Sequence, residues 1–196
     1  MSANASGPSA PGSARRKFLS AVIGGGLGAG AILGWKWWNS PPAAGNWSFL
    51  GKQPPEFPAG GAWINAETPL ALAGLRGKVV LLQFSFIGCG ACRLMNPHLA
   101  DFHAKFGPDG LVIVEIDDGA IDTLEETREW AAKEKVPYPV YYDAGGAMTR
   151  AFGVSSFPTT CLVGRNGTVA WEGGGWGGAE GVATYEAVIA KTLAAK

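Results

Sequence analysis

A run of six uncharged residues, Val79 to Phe84, ends five positions before the first of two cysteines that are separated by only two residues. The run is dominated by valine and leucine, which is typical of a β-strand buried on both faces. From Cys92 to about Lys105, apolar side chains recur at helical spacing, and Gly107 with Pro108 ends the pattern. Cys89-Gly90-Ala91-Cys92 is therefore predicted to lie where a buried strand passes into a helix.

The position of this pair at the start of a helix favours thiol chemistry. Free backbone N–H groups and the positive end of the helix dipole stabilise a thiolate there. Cys89, at the extreme end, is predicted to be the nucleophile, with a thiol pKa lowered from about 8.5 toward neutrality. Cys92 lies one turn further in, where it can attack a mixed disulfide formed by Cys89. The pair is thus predicted to be a nucleophile and a resolving cysteine.

Cysteines at this spacing can also bind metal. A structural zinc site needs four ligands, and the others would have to come from Cys161, His98 or His103 without a second paired spacing. Redox chemistry is therefore favoured over zinc. No metal or other cofactor is expected beyond the redox-active disulfide of Cys89 and Cys92. Cys161 lies inside an apolar strand and is predicted to be buried and inert.

The first 38 residues differ in composition from the rest of the chain. Residues 1–17 are predicted to be a disordered basic segment, because they contain few side chains able to form a core. Residues 18–38 are predicted to be a twin-arginine-like signal or a transmembrane anchor. The stretch Arg15 to Leu19 resembles a twin-arginine export signal, but Ala14 and Ser20 depart from that pattern, so Sec export stays open.

The uncharged segment from Phe18 to Trp35 is long enough for one membrane span. As a helix it would extend about 27 Å, against about 30 Å for a hydrocarbon core. Trp37 and Trp38 beside Lys36 are typical of a membrane interface. Since no A-x-A cleavage site follows, an uncleaved anchor in the cytoplasmic membrane is favoured. The rest of the chain is then expected in the periplasmic or extracytoplasmic part of a bacterial cell envelope.

The body of the chain alternates between strand and helix patterns. Residues 39–53 are rich in proline and glycine and are predicted to be a linker, followed by one folded domain over 54–196. A capping box at Thr123 to Glu126 predicts a helix to about Lys135, and Asn166-Gly167 predicts a hairpin. The other predicted elements are strands over 111–116, 140–142, 159–163 and 169–172, and helices over 146–152 and 182–193. This order indicates an α/β fold whose mixed sheet has helices on both faces.

The charge balance excludes one class of partner. The net charge is zero, but the chain after residue 38 carries 12 basic and 16 acidic residues. Nucleic-acid binders need clustered lysine and arginine to displace counterions. No nucleic-acid partner is expected.

Segments on both sides of the cysteines carry a family resemblance. Leu75 to Leu82 and Phe152 to Thr160 resemble signatures of thioredoxin-like proteins of the TlpA and ResA type. Pro97, five residues after Cys92, matches a proline in the first helix of that family, and Pro54 to Phe57 resembles its N-terminal segment. The resemblance covers about residues 54 to 172 and implies a thioredoxin fold.

The resemblance also implies a site and an activity. Pro158 is expected to be a cis proline that faces the disulfide, and Phe157, Gly90 and Ala91 are expected to contact the substrate. The implied activity is disulfide exchange with cysteine-containing exported proteins, with this chain as the reductant. An exported pair is oxidised by default, so a reductant also needs a membrane electron donor.

Two positions depart from the family pattern. Ile87 and Gly88 stand where many relatives carry tryptophan before the first cysteine. Gln83 stands where thioredoxin has a buried acid that assists proton transfer, so Cys92 would need a water or another carboxylate. Glu115, Asp117 and Asp118 are the nearest acids in the pattern, and the last two are expected at a solvated strand end.

Two other activities remain as alternatives. A copper-binding chaperone on the same fold would need a histidine or methionine opposite the thiolates, whereas His98 and His103 both fall on the first helix. Peroxidase chemistry is disfavoured, because the sequence contains no Pro-x-x-x-Thr-x-x-Cys pattern.

Overall fold

The computed structural model describes residues 48–195, so the predicted basic segment, the signal or anchor, and most of the predicted linker lie outside the described residues. Within the described range, no helix combines the length and the apolar character needed to cross a membrane. The strands are β1 (Ala62–Ile64), β2 (Val79–Ser85), β3 (Leu111–Gly119), β4 (Val140–Ala144), β5 (Thr159–Val163) and β6 (Val169–Gly174). The α-helices are α1 (Gly90–Phe106), α2 (Leu124–Lys133), α3 (Ala147–Ala151) and α4 (Gly178–Ala194), with a 3-10 helix at Leu72–Leu75.

One mixed sheet organises these elements, in the order β1-β4-β3-β2-β5-β6. β2 is parallel to β3 and antiparallel to β5, and all seven of its residues are buried. β3 continues parallel to β4, while β1 and β6 pair antiparallel at the two edges. The prediction of a mixed sheet with a C-terminal hairpin is confirmed.

Side chains alternate between the two faces of the sheet and form two cores. On one face, odd-numbered residues of β2 and β3, such as Leu81 and Ile113, pack against Met95 of α1 and Ile189 of α4. On the other face, even-numbered residues pack against Met148 and Phe152 in and after α3. Residues that continue the odd-numbered series along β2 and β3 therefore lie on the same face as α1.

The structure differs from the sequence prediction mainly in where elements begin. α1 begins at Gly90 and α4 at Gly178, in both cases earlier than the apolar spacing indicates, because glycine carries no apolar side chain to mark the first turn. β1 is not predicted, since three residues are too few to show a period of two. It pairs with β4 in register, Trp63 opposite Tyr141.

The folded region begins before Pro54. Ser48 and the backbone N–H of Phe49 both donate hydrogen bonds to Glu172 of β6, at 3.0 and 2.6 Å. Leu50 forms an isolated bridge with Val169, which also belongs to β6. Described residues of the predicted linker therefore lie along the edge of the sheet.

Candidate active site

The two cysteines lie at the N-terminus of α1, directly after the central strand. Cys89 is the N-cap residue, with extended backbone angles, and its Sγ accepts a hydrogen bond from the backbone N–H of Cys92 at 3.1 Å. An N-cap acceptor normally satisfies one of the free N–H groups of the first turn. Here a sulfur takes that place, which is the geometry that stabilises a thiolate when the pair is reduced.

Cys89 and Cys92 form a disulfide, with their Cα atoms 5.2 Å apart. Cys89 is 6 % exposed and Cys92 only 2 %, so the first cysteine is the more exposed of the two. In the roles predicted for them, an external disulfide reaches Cys89 first and Cys92 then attacks the mixed disulfide.

The loop that leads into the cysteines is held by its own backbone and by a carboxylate. Cys89 N–H donates to the carbonyl of Phe86 at 3.0 Å, which closes a turn. Ile87 N–H donates to Asp122 at 2.6 Å, and Asp122 precedes α2. Asp122 is not predicted from the sequence, because nothing in the local pattern indicates that its side chain reaches a backbone group 35 residues away.

The peptide bond between Phe157 and Pro158 is cis, as the resemblance implies. The ring of Phe157 contacts the ring of Phe86 edge to face, with centroids 5.3 Å apart. Because Phe86 lies three residues before Cys89, this contact joins the Pro158 loop to the loop of the cysteines. Phe86 is not a predicted site residue, because a phenylalanine just after a buried strand gives no local sign of a contact with the Pro158 loop.

Gly90, between the cysteines, lines a groove of about 770 Å³ between α1 and the end of α2. Leu94, a large apolar residue that is 57 % exposed, lines the same groove. On the opposite wall lie Trp130 of α2 and Pro137. Ala91 is half-buried and does not line this groove.

Beneath the cysteines, the face of the sheet that carries α1 is polar. Gln83 and Ser85 of β2 lie opposite Glu115 and Asp117 of β3 in register, and all four side chains are buried. Gln83 accepts a hydrogen bond from Thr160 at 2.6 Å, whereas its Nε2 has no hydrogen-bond partner within residues 48–195. A polar patch replaces the apolar core at this end of the two strands.

Glu115 is fully buried and accepts two hydrogen bonds. Ser85 Oγ donates to one carboxylate oxygen at 2.7 Å, and Tyr138 Oη donates to the other at 3.1 Å. Removal from water raises the pKa of Glu115 to about 7, although both hydrogen bonds act in the opposite direction. Ser85, Glu115, Asp117 and Cys92 line one narrow cavity, so Glu115 and the resolving cysteine border the same part of the interior.

The expectation that Asp117 and Asp118 lie at a solvated strand end is wrong. β3 continues to Gly119, and the two side chains are 1 % and 7 % exposed. Asp117 accepts a hydrogen bond from Thr127 of α2 at 2.6 Å. Burial raises the pKa of Asp117, and the nearby carboxyl of Asp122 raises it further. Strand β3 extends because β4 pairs with it as far as Gly119, which the apolar pattern did not reveal.

The three residues that a zinc site would have needed besides the cysteine pair have other surroundings. Cys161 lies in β5 opposite Leu82 and belongs to the core on the other face of the sheet. The ring of His98 stacks on Trp176, and His103 contacts the ring of Tyr138. Among the described residues, no three histidine, cysteine or acidic side chains are grouped closely enough to hold a metal ion.

Sequence comparison connects this geometry to known proteins. The profile of the AhpC/TSA family matches residues 50–172. NHL repeat-containing protein 2 of Bos taurus is 31 % identical over 142 residues, which is 70 % of this chain and 20 % of the relative. Thiol-disulfide oxidoreductase ResA of Bacillus thuringiensis subsp. konkukian is 27 % identical over 103 residues, 53 % of this chain and 58 % of the relative. The chain therefore spans between a fifth and just over half of these curated relatives.

Comparison of structures agrees with the sequence matches. A crystal structure from Chlorobium tepidum, assigned as a thiol:disulfide interchange protein DsbE, superposes with a TM-score of 0.62 at 26 % identity. The match covers 72 % of this chain and 98 % of that one, so the fold is thioredoxin-like. With its cysteine pair at the first helix, its cis proline and the match over residues 50–172, the chain belongs to the AhpC/TSA family of thioredoxin-like proteins.

Proposed function

We propose that this protein is a thiol-disulfide oxidoreductase that exchanges disulfides with cysteine-containing exported proteins. The observation that carries the proposal is the position of Cys89 as the N-cap of α1, where its Sγ accepts the N–H of Cys92. That geometry supports an ionised nucleophile at neutral pH. The relatives named as thiol-disulfide proteins support the same reaction.

In the proposed reaction, the Cys89 thiolate attacks a client disulfide and forms a mixed disulfide, while one client sulfur leaves as a thiolate. Cys92 then loses its proton and attacks Cys89 Sγ, which releases the second client sulfur. Two electrons pass to the client, and the Cys89-Cys92 disulfide forms. The chemistry uses no cofactor beyond this disulfide. Phe157, Pro158, Gly90 and Ala91 are proposed to contact the client beside the sulfurs.

The direction of electron flow and the location form part of the proposal. We place the domain outside the cytoplasm, in a bacterial cell envelope, with residues 18–38 as the membrane anchor. A pair kept reduced there must draw electrons from a membrane donor, because the compartment is oxidising. This places the protein between that donor and exported clients.

Cysteine variants test the reaction. In the full-length reduced protein, Cys89→Ser is expected to abolish insulin reduction, and Cys92→Ser to trap a mixed disulfide. Cys161→Ala is the matched control, since Cys161 lies in the core on the opposite face of the sheet. Insulin reduction by Cys89→Ser at the rate of the wild type would refute the proposal.

Equilibration with glutathione tests the direction. A reductant is expected to have a Cys89/Cys92 potential of about −270 mV, whereas a value of about −120 mV indicates an oxidant. The measurement needs the full chain in detergent, with the fraction of alkylated cysteine read by mass spectrometry. A potential at the oxidising end would overturn the assignment as a reductant and leave the exchange reaction in place.

A further inference from the structure

Two buried acids of β3, Glu115 and Asp117, line one cavity with Cys92. Gln83 of β2, which cannot titrate, lies directly opposite Glu115. Both side chains belong to the odd-numbered series and lie on the face of the sheet that packs against α1. A carboxyl therefore lies one strand away from an amide, beneath the helix that carries Cys92.

Glu115 is poorly explained as a structural residue. A carboxyl costs free energy when it leaves water, and two hydroxyl donors compensate only part of that cost. Ser85 and Tyr138 hold its two oxygens in place, and one of these donors, Ser85, lines the cavity with Cys92. The arrangement keeps the carboxyl oriented at a narrow cavity that Cys92 also lines.

Asp117 lines the same cavity but is held in another direction. Its carboxyl accepts a hydrogen bond from Thr127 of α2 and interacts with Asp122. Glu115 has no such partner on α2, and its donors come from β2 and from the segment before β4. Thr127 therefore ties the Asp117 carboxyl to α2, whereas neither donor of Glu115 comes from that helix.

We propose that Glu115 is the proton acceptor for Cys92 during disulfide exchange, an inference that rests on the proposed function. In the mixed disulfide, the Glu115 carboxylate takes the proton of the Cys92 thiol. The Cys92 thiolate then attacks Cys89 Sγ, the sulfur–sulfur bond to the client breaks, and the client sulfur leaves with the electron pair. When the pair is reduced again, the protonated Glu115 returns the proton to Cys92.

The surroundings allow Glu115 to change its protonation near neutrality. The titratable or charged groups around it are Asp117 on β3, Asp122 before α2, Tyr138 before β4, and Cys92, Arg93 and His103 on α1. Burial raises the pKa of Glu115 to about 7, so both protonation states are populated at physiological pH. A general base works best when its pKa lies near the working pH.

The two sulfurs can be followed separately in the reduced full-length protein with 5,5′-dithiobis(2-nitrobenzoate). Attack by Cys89 releases a first thionitrobenzoate, and attack by Cys92 on the resulting mixed disulfide releases a second. In Glu115→Gln, the second release at pH 7 is expected to slow by about 100-fold, while the first keeps its rate. In the wild type, the second rate should rise through about pH 7, and the variant should lose that rise.

Matched variants separate this role from a structural one. Glu129→Gln changes an exposed acid on α2 and should leave both releases unchanged. Glu115→Asp keeps a titratable group and should retain the rise with pH at a lower rate. The double variant Gln83→Glu/Glu115→Gln moves the carboxyl to the opposite residue on β2, and it should restore the increase of the second rate with pH. The Asp variant also keeps the test usable if the Gln variant fails to fold.

Two results would overturn the assignment. The first is that Glu115→Gln releases the second thionitrobenzoate at the wild-type rate and with the wild-type pH profile. The second is that Asp117→Asn loses the increase of this rate with pH while Glu115→Gln keeps it. If the wild type released no thionitrobenzoate at all, the proposed exchange reaction itself would be refuted, which distinguishes that failure from failure of the Glu115 assignment.

Discussion

At the scale of single residues, Glu115 makes the protein sensitive to pH in a defined direction. Its carboxyl has a pKa of 4.5 when exposed and of about 7 in the fold. Between these values the unfolded chain has lost a proton that the folded protein still holds. The free energy of unfolding therefore falls as pH rises from about 4.5 to about 7, and it levels off above that range.

Comparison of wild type and Glu115→Gln isolates this contribution. The stability of the wild type relative to the variant is expected to decrease by about 3 kcal/mol between pH 4.5 and pH 8. Urea denaturation of the oxidised proteins at several pH values measures the difference, with both cysteines fixed in the disulfide. Curves that stay parallel across this range would show that Glu115 does not titrate in the fold.

At the scale of elements, two helices begin with different kinds of cap. α1 is capped by the sulfur of Cys89, which reacts in the proposed function, and α2 is capped by Thr123 in a reciprocal pair with Glu126. The second cap secures the helix whose preceding residue, Asp122, holds the backbone of Ile87. The cap at Thr123 thus supports the loop that carries Cys89, which is the cap of α1.

Removal of the structural cap should cost a measurable amount. Thr123→Ala is expected to lower the free energy of unfolding by about 1 kcal/mol, because a backbone N–H loses its acceptor. Urea denaturation measures this change. Thr184→Ala, an exposed threonine inside α4, is the control and should change stability by less than about 0.5 kcal/mol. Equal losses in the two variants would contradict a specific capping role.

The sequence predicted what depends on local patterns. The buried strand before Cys89, the capping box at Thr123 and the hairpin at Asn166-Gly167 each carry a signal within a few residues, and each is present. The contact of Asp122 with Ile87 and the burial of Asp117 depend on strand register and on packing between distant segments. Periodicity contains no information on either of them.

At the scale of the whole molecule, the sheet separates two kinds of cysteine. Cys89 and Cys92 lie at the helix on one face, and Cys161 points into the core on the other. Burial raises the pKa of the Cys161 thiol, which removes the reactive thiolate. The third cysteine is thereby kept out of disulfide exchange.

Alkylation should show this separation. After full reduction, iodoacetamide at pH 8 is expected to modify Cys89 rapidly and to leave Cys161 unmodified until urea is added, because Cys89 is partly exposed at the start of α1 and Cys161 is fully buried. Peptide mass spectrometry gives the modified fraction at each position. Modification of Cys161 in the folded protein at a rate close to that of Cys89 would contradict its burial.

The cap on α1 also has a consequence for biosynthesis. Cys89 gains its acceptor role only when Gly90 to Cys92 adopt the first turn of the helix, and the acids below it assemble only when β2 and β3 are paired. A newly made, unfolded chain therefore carries three ordinary thiols with no special reactivity. Folding therefore places Cys89 at the start of a helix and at the same time removes Cys161 from solvent, so the difference between the two cysteines exists only once the sheet is complete.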